Sequence, residues 1–204
     1  MIEPLLLTAY PSATIALVAI ATGIAGFAAL VVAILCFLFG RMFGRLDDIL
    51  VGLTAILSAG LAMLLFPQLR AQDPQLALAG FSIAVLGAFV VGFGSVLAAT
   101  RAASWFLAQL YVAAGNALIG VWLIMFNRIA GSVSAIPNGV ETVGVFAGAV
   151  MALGIAAIPG ILVGADSEQA APWISRYVGT AGNLGLLFLY PLWCIWLGQA
   201  LLRA

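Results

Sequence analysis

The 204-residue sequence contains no histidine and no lysine, and only 7% of its residues are charged. Each shortage closes a class of chemistry. Without histidine, the commonest ligand of haem, zinc and copper is missing, and so is the base of a Ser–His–Asp triad. The nucleophile-elbow pattern GxSxG is absent too. Without lysine, no Schiff base to retinal or another carbonyl group can form. Two isolated cysteines, Cys36 and Cys194, cannot hold an iron–sulfur cluster. Both lie in apolar runs, where a thiol behaves as a small hydrophobe, and no disulfide between them is expected. The expectation is a non-enzymatic chain with no metal and no other cofactor.

What is abundant is apolar surface. Hydrophobic residues make up 65% of the chain and its mean hydropathy is +1.25. A soluble domain carries about 25% charged residues, so this chain is short of polar groups to cover itself in water. Six apolar runs, at about 13–40, 48–67, 75–99, 103–127, 139–164 and 178–202, are long enough for spanning helices. Barrel strands would be shorter, about ten residues, and alternating. The fold class expected is therefore all-α: a polytopic membrane bundle of about six transmembrane helices, forming a single domain over residues 1–204. The first run lacks a basic flank and is too long for a signal peptide, so it reads as a retained anchor.

The breaks between runs carry helix punctuation. Asp47 and Asp48 stand where an N-cap and first-turn acid belong, Asp73-Pro74 opens the third run, and Asn138 or Glu141 opens the fifth. Arginine supplies all the positive charge. Arg41, Arg45, Arg101 and Arg176 fall on one side of the membrane and Arg70, Arg128 and Arg203 on the other. This slight excess, with Arg41 and Arg45 close behind the first run, favours an outside N-terminus. No basic block points to nucleic acid.

Every Asp, Glu and Arg falls at a run end or in a loop, so no buried carboxylate is expected and a proton-driven pump is disfavoured. Neutral polar residues do occur within the runs, and they are ordered. Gln109, Asn116, Gly120 and Asn127 share one face of the fourth run. Thr54 and Ser58 follow Asp47 on a face of the second, and Asn183, Tyr190 and Cys194 repeat the spacing in the sixth. Such stripes turn away from lipid. They either bond helix to helix or line a polar path, and without an intramembrane charge the structural role is favoured.

Small residues add to that case. Gly144 and Gly148 have GxxxG spacing, Gly179, Gly182 and Gly185 follow at three-residue steps, and Gly87, Gly92 and Gly94 cluster in the third run. These let backbones approach closely where lipid provides no hydrophobic drive. Trp105 and Trp173 suit the membrane–water belt, and Tyr190-Pro191 predicts a kink in the sixth helix. A membrane enzyme would need an interfacial site from Asp47, Asp48 and Arg45, or from Asp166, Glu168 and Arg176, but solvated helix ends account for both groups.

The segments "GNALIGVWLIMFN" and "LGLLFLYPLWCIWLGQALL" resemble parts of small bacterial six-helix integral membrane proteins known mostly as uncharacterised. The resemblance implies a multi-pass protein of the bacterial cytoplasmic membrane, without an activity or site residues to carry over. The function expected is an accessory or scaffold subunit, whose partners are the bilayer and other membrane subunits or further copies of itself. The alternative is a small-solute or lipid transporter or channel using the stripe on the fourth helix.

Overall fold

The computed structural model describes residues 12–40, 43–132 and 136–203. They contain helices and no strands, and six of the helices are long and apolar enough to cross a membrane. These are α1 (Ser12–Phe39), α2 (Gly44–Arg70), α3 (Pro74–Thr100), α4 (Trp105–Ser132), α5 (Asn138–Leu162) and α6 (Ser175–Arg203). This is the build of a multi-pass membrane protein. A helix is the natural form for such runs, because it satisfies the backbone within the segment where lipid offers no partner. Arg41, used above to orient the chain, lies outside the described residues.

Caps fix some helix ends as the sequence suggests. The Asp73 carboxylate accepts from the backbone N–H groups of Gln75 and Leu76 at 3.1 and 3.0 Å, with Pro74 at the first helical position, where it needs no donor. Ser104 caps α4 by accepting from Leu107 N–H at 3.1 Å. Other ends move. Helix α2 starts at Gly44 and runs through Pro67 to Arg70, rather than covering 48–67. Phe43, not Asp47, holds its N-cap position, and Asp47 sits in the first turn. An acid there interacts favourably with the helix dipole without needing to cap it. Helix α4 also continues past Asn127 to Ser132.

The last two helices change winding. Within α5, a 3₁₀ stretch at Leu153–Ala157 precedes Pro159. Within α6, π-helical turns occupy Ser175–Gly179 and Gly185–Leu189. The second π turn lies immediately before Tyr190-Pro191. A proline ring clashes with the carbonyl four residues back, and widening the preceding turn accommodates it.

Consecutive helices are neighbours along the whole chain, and α6 returns to pack on α1. The ring is not open in the middle: α4 also meets α6 and is the most enclosed helix of the six. Glycines set these close approaches. A Cβ on Gly87 would lie 2.7 Å from the Gly115 carbonyl oxygen, and one on Gly115 would lie 2.6 Å from that of Gly87. Gly120 and Gly148 meet in the same reciprocal way, at 2.6 Å each. These pairs bring α3 onto α4 and α4 onto α5, backbone against backbone. Gly179 and Gly182 bring α6 just as near Ala157 and Gly154 of α5, and Gly185 meets Met151. Dispersion between closely packed backbones is the main attraction available when lipid tails are as apolar as leucine.

Candidate functional site

The interior polar residues converge on α6. Asn116 of α4, 0% exposed, donates its Nδ2–H to Asn183 Oδ1 at 3.0 Å. Further along α4, Asn127 Oδ1 accepts from Trp193 Nε1–H at 3.0 Å, while Asn127 Nδ2–H donates to the Leu123 carbonyl at 2.8 Å. The Asn127 amide fills the space beside Gly144, where a Cβ would collide with it. From α2, Ser58 Oγ accepts from Tyr190 Oη–H at 2.9 Å and donates to the Thr54 carbonyl at 2.7 Å. Thr54 in turn bonds the Leu50 carbonyl. Three side-chain bonds thus tie α6 to α4 twice and to α2 once.

Around them, Trp122, Phe126, Tyr190 and Trp193 form an aromatic group with adjacent ring centroids 5.8–6.4 Å apart. Trp122 and Trp193 are 1% and 0% exposed, so they belong to this core and not to an interfacial belt. Trp105 and Trp173 are exposed near helix starts. The indole N–H of Trp193 has its amide acceptor, which is what makes a buried tryptophan tolerable. The role of Trp193 as a polar partner was not signalled by spacing, because tryptophan reads as apolar.

Gln109 stands apart from these pairs. It is half-buried and lines a cleft of about 360 Å³ with Glu168, Arg176, Thr180 and Asn183. The cleft lies where α4 and α6 begin, and its inner wall is the same Asn183 that bonds Asn116. Arg176 bonds the neighbouring Tyr177 hydroxyl and lies over its ring, 4.6 Å from the centroid. Nearby, Ser175 Oγ accepts from Gly160 N–H at 2.9 Å, joining the end of α5 to the start of α6.

One expectation is overturned. Asp48 is 5% exposed, so a buried carboxylate exists inside a helix. The cause is the earlier start of α2, which places Asp48 in its second turn facing α3. It makes no hydrogen bond or ion pair with the described residues. Asp47 Oδ1, Ser95 Oγ, Asn116 Oδ1 and Trp122 Nε1 are also buried without a partner. Both cysteines are free thiols. Among the described residues, no group of three or more His, Cys, Asp or Glu could hold a metal.

No family model matches the chain, and neither a curated protein nor a solved structure does.

Proposed function

We propose that the protein is a non-enzymatic accessory or scaffold subunit of the bacterial cytoplasmic membrane, packing against other membrane proteins. The observation that carries this reading is the pairing of the stripe residues within the chain: Asn116 with Asn183, Asn127 with Trp193, and Ser58 with Tyr190. Polar groups bonded helix to helix hold a bundle in register. The short connections and large exposed apolar side chains on every helix leave the bilayer-facing surface as the main means of contact with other molecules. Photo-crosslinkers placed at Leu17, Phe146 and Phe188, all exposed, test it in native membranes. Discrete adducts with other membrane proteins or with a second copy are expected from at least one position. Lipid adducts alone from all three positions would refute the reading.

A second reading, a small-solute transporter or channel, has one observation in its favour. The cleft at Gln109 is lined in part by polar side chains and includes Asn183, which accepts from Asn116. In this reading the asparagine pair is a gate, and replacing either residue changes flux without changing stability.

A further inference from the structure

Helices α2 and α3 run antiparallel, and their register follows from Gly52, where a Cβ would lie 3.3 Å from Ser95 Cβ. Small residues recur along the seam on both helices, at Gly52 and Ala59 of α2 and at Ala88 and Gly92 of α3. Larger side chains such as Ile56 and Phe89 stand outward beside them. The result is a groove of about 840 Å³, within the roughly 300–1,000 Å³ of small-molecule sites. It runs from Asp48 to Ala59 on α2 and from Val85 to Ala99 on α3, which at a rise of about 1.5 Å per residue is about 16 and about 21 Å. That is about half to two-thirds of a hydrocarbon core of roughly 30 Å. The groove is shorter than a full span and opens toward the start of α2. A spanning partner helix would need a longer seat, of roughly 30 Å.

Its apolar wall is interrupted by two polar groups, Asp48 and Ser95. Both are 5% exposed; Ser95 Oγ is buried without a partner, and Asp48 makes no hydrogen bond or ion pair with the described residues. Asp47, next to Asp48, also has a buried oxygen without a partner. An unpaired carboxylate in an apolar mouth is costly, and taking up a proton or pairing with a counter-charge relieves it. Among the described residues no arginine lines the groove, so none of them would hold a phosphate or another anion there. A counter-charge supplied by an occupant would pair with Asp48 when joined to an apolar body that fits the groove.

We propose that the α2–α3 groove binds a lipophilic monocation, a compact apolar body carrying one protonated amine or onium centre. The cation is held by Asp48, Ser95 offers a hydroxyl beside the apolar body, and anionic amphiphiles are rejected. This site does not depend on the accessory-subunit reading, which is tested at positions on α1, α5 and α6.

The test uses the full chain in nanodiscs of phosphatidylcholine, with tetraphenylphosphonium and tetraphenylborate as probes of the same shape and opposite charge. Uptake is measured against protein-free nanodiscs. Tetraphenylphosphonium should bind saturably, and tetraphenylborate should show no excess. Asp48→Asn should weaken the binding by about tenfold or more. It should melt no lower than the parent, because it removes an unpaired charge without changing shape. Gly92→Leu should also abolish binding by filling the groove, and it should fold, since nothing lies within 4 Å of a Cβ built there. Arg70→Gln, at the far end of α2, should bind as the parent does. Equal uptake of the two probes, or undiminished binding by either groove variant, overturns the proposal and leaves the groove to uncharged lipid tails or a partner helix.

Discussion

At the scale of single residues, the paired asparagines have a measurable consequence. Interhelical hydrogen bonds in membranes are worth about 0.6 kcal/mol on average, because the unfolded state in lipid finds partners too. Asn116→Leu and Asn183→Leu should each cost about 0.5–2 kcal/mol. The double variant should cost less than their sum, showing coupling through the bond Asn116 donates. Thermal melting of the four proteins of that cycle checks it, and strictly additive losses would mean that the bond contributes nothing. Loss of a transport activity at unchanged stability would instead make Asn116 a site residue. Much of this interior was legible, because Asn116, Asn127, Ser58 and Tyr190 are polar or amphipathic at helical spacing within apolar runs. Trp193 and Asp48 were not. An indole gives no polar signal in a hydropathy pattern. Asp48 looked like a solvated helix end until the extra turn of α2 placed it in the seam with α3.

Helices in this bundle are held by close backbone approach, and that sorts its glycines. Gly148 lies against Gly120, where a Cβ would come within 2.6 Å of backbone oxygen. No rotamer change relieves such a clash, so Gly148→Leu must separate α4 from α5. Gly60 has nothing within 4 Å of a built Cβ, and Gly60→Ala should stabilise α2 by about 0.5–1 kcal/mol through lower chain entropy. Arg70→Gln should be nearly neutral, since exposed ion pairs contribute about 0–1 kcal/mol at most. Melting of the three variants in one detergent gives the ranking. An indifferent Gly148→Leu beside a damaged Arg70→Gln would show that the loops matter more than the helix crossings. At this scale the sequence marks where glycines are dense but not what each one faces. Gly92 and Gly148 look alike in a string, yet one borders an open groove and the other a carbonyl. The π turns of α6 were likewise legible only as a proline within a run, since the response to that proline depends on the helices packed around it.

For the whole molecule, the six apolar helices of the described residues predict that both ends of the chain face one side of the membrane. Reporter fusions at residues 1 and 204 should report the same compartment, and opposite compartments would remove a span from the account. Architecture was the most legible level, because run length against bilayer thickness is a strong constraint. Association with other proteins is the least legible, because lipid-facing and protein-facing apolar side chains share one composition. The bundle is proposed to work by packing with other membrane proteins. The most direct test is the mass and composition of the native particle, extracted from the membrane into nanodiscs without detergent and read by native mass spectrometry. The account predicts a fixed stoichiometry with further membrane subunits or additional copies of this chain, retained in Asn116→Leu. A particle containing one copy of this chain and lipid alone would contradict it.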